Sequence, residues 1–247
     1  MPVVPHRFLF RFAMPVPRIE ERASGSPPFL NLDDVPALPD FGTLDDAAPF
    51  AEIRAGWNEA GIGFRVAVSG KKMPLAETPD EPRESDGFQL WLDTRNTQTI
   101  HRASRFCHHF AFLPSPSLWT PQQANRAEGS KSAKAAKAAS EKGRTAPSRK
   151  AATASAHQLA IAQAKEDPPF TRAGLLRAAS EPVPGGYVLD IWVPAECLTG
   201  YDPEANPLLG FYYLVRDAEL GEQSLGVGRE FPFDHDPSLW STLELAR

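Results

Sequence analysis

The sequence has little cysteine: Cys107 and Cys197 are the only two in 247 residues, and no CxxC pair exists. That excludes a disulfide-framed scaffold and a cysteine zinc ribbon, and both thiols are expected to be free and buried. Long apolar runs are also missing. No stretch is apolar for the roughly 20 residues that a membrane-spanning helix needs. Near the N-terminus His6, Arg7 and Arg11 interrupt the only apolar run, so no export signal is expected and the expected compartment is the cytoplasm. The sequence contains no GxSxG, HExxH, P-loop or complete GxGxxG. Gly226-Val227-Gly228 lacks the third glycine and the helix after it, and reads as a turn. Nor is there a positive balance: 26 Lys and Arg against 31 Asp and Glu give a net charge of -5. A whole-protein surface for nucleic acid or anionic membrane is therefore not expected.

Proline is plentiful, at 25 residues, and hydrophobic residues make up 42% of the chain. A real core is available, and the prolines suit a loop-rich β protein. Alternation of period two marks the strands. It places Phe8, Phe10 and Phe12 on one face of an N-terminal strand. Ile53, Ala55 and Trp57 lead through the turn 58–61 into "IGFRVAVS", a hairpin. Residues 15–39 show no period and read as an extended connection.

The stretch "SDGFQLWLDTRNTQTIHRASRFCHHF" splits by parity. Phe88, Leu90, Leu92, Phe106, Phe110 and Phe112 fall on a core face, with His108 on their side. Gln89, Trp91, Asp93, Cys107 and His109 fall on the opposite face. Further strands are expected at "YVLDIWVP" and "LLGFYYLV", with Trp192 and Asp190 on one side of the former. Asp236 before Pro237 is an N-cap signal for one helical turn ahead of a final strand, "STLELA".

Residues 126–150 carry eight basic and two acidic residues and no large apolar one, leaving the remainder at about -11. Such a segment buries too little surface to offset its ordering entropy. With the Ala-rich run that follows, which could form a short helix, 126–166 reads as a flexible basic insertion. It could touch an acidic protein partner or nucleic acid, although a solvated loop is the simpler reading. Apart from it, residues 1–247 read as one all-β domain: an antiparallel β-sandwich, jelly-roll-like, of two sheets.

Three chemistries suggest themselves. His101, Cys107, His108 and His109 could bind zinc, but neighbouring strand residues face opposite ways, so His108 and His109 cannot share a site. Asp93 beside Trp91 and Asp190 beside Trp192 could act as paired carboxylates, but nothing in the sequence fixes their separation. The third is sugar binding. Trp91 would stack on a sugar ring, and Gln89, Asp93, Arg95 and Asn96 would bond its hydroxyls. His101, Arg102, Arg105 and His109 extend the set, and the arginines favour an acidic or sulfated glycan.

The order of the pieces "TLDDAAPFAEIRAGWNEAGIGFRVAVSGK", "SDGFQLWLDTRNT", "YVLDIWVPAECLTGYDPEANPLLGFYYLVRDAE" and "DPSLWSTLEL" resembles the family 9 carbohydrate-binding modules, DOMON-like sandwiches attached to xylanases and related enzymes. The resemblance spans about Phe41–Pro114 and Tyr187–Arg247. It implies non-catalytic binding of a sugar chain end and, optionally, structural calcium; no cofactor is otherwise expected. One departure is Ala195 after Pro194, where the family carries tryptophan, and Trp91 and Trp192 sit within strands rather than at loop lips. The run "HRASRFCHHF" is richer in Arg and His than the modules and resembles a planctomycete-type bacterial subgroup of the fold. Carbohydrate binding is thus the leading expectation. A protein-interaction or scaffold domain using the same Arg/His face is the alternative, and an enzyme is least favoured because no nucleophile–base pair emerges.

Overall fold

The computed structural model describes residues 13–45, 47–78, 80–116 and 152–247. Twelve strands are defined among them: β1 (Ala13–Pro17), β2 (Ala51–Asn58), β3 (Gly61–Ser69), β4 (Gly87–Asp93), β5 (Cys107–Leu113), β6 (Ala152–Thr153), β7 (Ser155–Leu159), β8 (Arg177–Val183), β9 (Gly186–Pro194), β10 (Leu208–Asp217), β11 (Gly221–Ser224) and β12 (Ser241–Ala246). They form two sheets. The first runs β1-β12-β10-β4-β5-β7, with β11 also paired to β10; the second runs β2-β3-β9-β8-β6. All pairs are antiparallel except β1 with β12. The expected sandwich is the observed one.

The period-two pattern sets the core. Phe64, Val66, Phe88, Leu90, Phe110, Phe112, Leu189, Ile191, Phe211 and Tyr213 point between the sheets and are almost wholly buried. Each such side chain contributes about 1.5–3 kcal/mol by leaving water. The turn at 58–61, the 3-10 turn at Pro237–Leu239 and its Asp236 cap all form where the sequence places them; the Asp236 carboxylate accepts from the Ser238 N–H at 2.9 Å.

Three expectations need correction or fall elsewhere. The alternation at 7–12 and the insertion through residue 151 lie outside the described residues. Residues 152–165 are not a helix: Ala152 and Thr153 pair with Ser180 and Ala179 of the second sheet, and β7 then pairs with β5 of the first. Strand pairing overrides the alanine propensity, and small side chains let the chain cross from one sheet to the other at the sandwich edge. Strand β8 was not foreseen, because "RAASEPV" has no large apolar residue except its terminal valine. Third, Phe106 lies just before β5 and is half-exposed rather than core.

Part of each outer face is covered as well. Outside the first sheet, Val227, Phe233 and Trp240 from 225–240 and Ile161 from 160–165 pack on Trp91, Cys107, Tyr212 and Leu214. Outside the second sheet, Phe29, Leu30, Leu32 and Val35 pack on Trp192 and Ala179. Gly56 and Gly63 make room for that cover, since a Cβ there would approach Leu32 to 2.6 Å and Leu30 to 3.1 Å.

The outer edge of β2 is closed partly by backbone, the Leu38 and Ile19 N–H groups donating to the Ile53 and Trp57 carbonyls at 2.7 and 2.8 Å, and partly by side chains. The Gln223 amide oxygen accepts from the Phe50 and Ala51 N–H groups, both at 2.8 Å, and its nitrogen donates to the Ala51 carbonyl at 2.8 Å. At the other end the Trp57 indole N–H donates to the Val16 and Ala246 carbonyls. One amide thus imitates a missing strand and joins β11 of the first sheet to β2 of the second. Gln223→Leu leaves two N–H groups and a carbonyl without partners; urea unfolding is expected to show a loss of about 2–4 kcal/mol at unchanged m-value. A loss under 0.5 kcal/mol would show that the closure is dispensable.

Candidate functional site

The predicted site divides into a buried half and an exposed half. Trp91 is 1% exposed. Its indole stacks on His109, with centroids 4.1 Å apart and 13° between planes, and its N–H donates to the Asp234 carbonyl at 3.3 Å. Phe233 and Tyr212 meet it edge-on. A stacking platform needs a free face, and Trp91 has none. Gln89 is buried too: its oxygen meets His109 Nε2 at 3.1 Å, and its nitrogen donates to the Arg83 carbonyl. Trp192 is 2% exposed, beneath the Arg177 guanidinium and beside Phe29. Parity identified the side on which these residues lie. It carried no information on the segments that cover that side, which lack any periodic pattern.

Asp93 is buried at the end of β4, where it organises the loop 94–106. Its two oxygens accept from the Arg95 N–H at 2.9 Å and the Thr97 N–H at 2.6 Å. Burial raises its pKa, and the two backbone donors oppose the rise. Asn96 sits at φ 49°, a left-handed conformation that asparagine tolerates, and its side-chain oxygen accepts from Thr242. Asp93 and Asp190 lie on outer faces of different sheets, with the core between them. Asp190 is held by Arg65 at 3.0 Å. The two carboxylates therefore cannot flank one bond.

His108 points into the sandwich, as its parity requires, and its Nε2 accepts from the Thr199 N–H at 3.0 Å. With the Thr94 hydroxyl donating to the Thr199 carbonyl at 2.6 Å, it fixes the loop after β9 against the loop after β4. His108 and His109 face opposite sides of β5, and each keeps one ring nitrogen, Nδ1, buried without a partner. His101, 77% exposed, touches both Asp236 and Ser238, each at 3.1 Å. Both contacts are to Nδ1, whereas a catalytic triad needs the acid and the hydroxyl on different ring nitrogens.

The exposed half gathers at one end of the sandwich. Arg95 and Arg105 place their guanidinium carbons 4.7 and 5.2 Å from the centroid of the Phe106 ring. Gly200, at φ 78°, lies against this group; a Cβ there would stand 3.0 Å from the ring and 3.1 Å from Arg95 Nη2. Arg95 forms no ion pair among the described residues. Arg105 meets Glu166 only at 3.8 Å, with both side chains more than half exposed. Arg102 donates to the Gln163 and Ala164 carbonyls and has no acid partner among the described residues. Phe106 and Gly200 were missed in the sequence. The signal was the Arg-Phe pair at 105–106, which reads as core by parity because the strand begins one residue later.

No family model matches the chain, and no curated protein matches it. Among solved structures, a carbohydrate binding module of family 9 from Caldicellulosiruptor kristjanssonii matches in two complexes, one with glucose and one with cellotriose. The fold is shared. Each alignment has a TM-score of 0.55 at 11% identity and covers 95% of this chain, with 96% and 93% of the module. At that identity the likeness establishes the β-sandwich and its order of elements. As to calcium, the carboxylates of Asp86 and Asp217 converge in the interior, but the Lys71 ammonium lies between them at 2.8–3.0 Å. That position does not fit a divalent ion, and no group of three His, Cys, Asp or Glu comes together among the described residues.

Burial lowers the pKa of His108 to about 4, against an ordinary 6.5, and drives His109 well down as well, with Arg83 adding to the effect. The folded state thus holds His108 neutral while the unfolded chain protonates it near 6.5. Its contribution is complete above that pH and is lost as pH falls toward 4, by about 3 kcal/mol in all. Urea unfolding between pH 7 and 4 is expected to show this slope, and His108→Asn is expected to flatten it. An unchanged slope in the variant would assign the acid sensitivity elsewhere.

Proposed function

We propose that this protein binds carbohydrate without catalysis, through the rim built by the loop 94–106, and that its ligand is an acidic or sulfated glycan. The observation that carries this reading is the pair of guanidinium groups over the half-exposed Phe106 ring. Two planar forks lie against one aromatic ring, and the one ion pair they make among the described residues is the weak, exposed contact of Arg105 with Glu166. Such forks accept a carboxylate or sulfate by two parallel N–H bonds each, and stacking on the ring limits the entropy lost on binding. An exposed ion pair such as Arg105–Glu166 is worth little and yields readily to a ligand anion. Arg102 extends the positive rim. Asn96, partly exposed and held by Thr242 and Gln98 through its side-chain oxygen, lies in the same loop. The shared fold with a module in complex with glucose and cellotriose supports the carbohydrate class, and the arginines supply the reason for expecting acidic groups on it.

A glycan array with sulfated, uronic-acid and neutral members, followed by calorimetry on the best binder, tests the reading. Arg95→Ala and Arg105→Ala are each expected to weaken binding about tenfold or more, the worth of a charge-assisted hydrogen bond. Affinity should fall as salt rises through 0.1–0.5 M. Trp91→Phe, if folded, is expected to leave affinity unchanged within about twofold, because the indole lies beneath the surface. Failure to bind any glycan class, or loss of binding through Trp91→Phe alone, would overturn the proposal.

A further inference from the structure

Far from that rim, the interior holds an amine that the binding function does not use. Lys71 follows β3 of the second sheet, and its side chain is 0% exposed. Its Nζ lies 2.9 and 2.8 Å from the two oxygens of Asp217, the last residue of β10 in the first sheet, and 3.0 Å from Oδ2 of Asp86, which precedes β4. The two carboxylates are 1% and 0% exposed. Asp217 Oδ1 also accepts from the Glu219 and Leu220 N–H groups at 2.9 and 3.0 Å, whereas Oδ2 has Lys71 alone. Asp86 is held from both sides, by the Ala76 N–H on Oδ2 and the Ala218 N–H on Oδ1. The Tyr187 hydroxyl, buried without a partner and within the field of both acids, belongs to the same dry region.

We propose that Lys71 and Asp217 condense into an intramolecular amide, a covalent cross-link between the two sheets, with Asp86 as the proton-transfer group. Each required part is present: an amine, a carboxyl carbon, a base touching the amine, and two backbone N–H groups on the oxygen that would carry negative charge. In the first step Lys71 passes one proton to Asp217 Oδ2, giving a neutral amine and a carboxylic acid beside the Asp86 carboxylate. The paired nitrogen lies beside the carboxyl edge, so side-chain rotation of Lys71 must lift it over the carboxyl face. The Nζ–Cγ bond then forms while the Glu219 and Leu220 N–H groups hold Oδ1. Asp86 takes a proton from the attacking nitrogen and returns it to Oδ2. The Cγ–Oδ2 bond breaks and Oδ2 leaves as water. Charge balances, since the site carries one net negative charge before and after, and no oxidant or co-reactant is needed.

The product suits the site better than the ion pair does. Two buried charges disappear, removing their desolvation cost. The new N–H faces Asp86 Oδ2, the new carbonyl keeps its two backbone donors, and the oxygen expelled is the one without a backbone partner. Exclusion of bulk water also disfavours the reverse hydrolysis.

The test is the mass of the purified full chain under denaturing conditions. The expected value is one water below the sequence mass, and a protease digest should contain one branched species joining the Lys71 and Asp217 peptides. A full sequence mass with both peptides linear overturns the proposal, whatever the variants do. Asp86→Asn keeps the shape and the Ala76 contact, gives up the Ala218 contact, and cannot relay the proton. Folded by circular dichroism, it should show the full mass; loss of water in that variant would overturn the role given to Asp86.

Discussion

The Trp91–His109 stack, sealed by residues 225–240, is the contact on which the arrangement of the molecule depends. A two-layer sandwich ordinarily leaves one face of each sheet to solvent. Here Trp91, Cys107, Tyr212 and Leu214 give the first sheet an apolar outer face, which must be buried in turn. The chain meets that requirement with a loop, anchored by indole N–H bonds from Trp91 to the Asp234 carbonyl and from Trp240 to the Phe233 carbonyl. With the face closed, the polar residues of the β4–β5 region have only the end of the sandwich through which to reach solvent, and the arginines gather there.

Buried polar side chains then connect the loops to the sheets. Asp93 caps 94–97, His108 and Thr94 hold Thr199, and Gln223 takes the place of a strand beside Ala51. Each is affordable because its main groups are paired, and each is costly to break for the same reason. The result is a rim whose backbone is fixed by interior contacts while its arginines remain exposed. Rigid support of a polar edge is what a binding surface requires, since little ordering entropy is then lost when a ligand arrives.

Much of the fold was legible in the sequence. Alternation located β2, β3, β4, β5, β9, β10 and β12 and assigned the faces of β2, β4, β5 and β9, because inward residues of a sandwich must be large and apolar. The Asp236-Pro237 signal located the last turn. What failed did so for identifiable reasons. Ala152 to Leu159 has too few large side chains to declare a strand, and its conformation comes from pairing with β8 and β5, distant in sequence. Of the candidate site residues, Arg95, His101, Arg102 and Arg105 reach solvent and Asn96 partly does. Gln89, Trp91, Asp93, His109 and Trp192 do not, and the segments at 225–240 and 19–35 that cover Trp91 and Trp192 are aperiodic, so nothing in the sequence announces them. A tryptophan beside an aspartate on a strand looks the same in sequence whether it faces water or a second layer.

The central claim is that the Trp91 face is closed and the arginine rim is open. Amide and indole hydrogen exchange, measured by NMR with and without a sulfated oligosaccharide, tests it most directly. The account predicts that the Trp91 indole N–H exchanges as slowly as core amides and keeps its chemical shift, while the Arg95 and Arg105 Nε–H signals move on titration. Exchange of the indole at a solvent rate, together with a ligand-induced shift at Trp91 and none at the arginines, would contradict it.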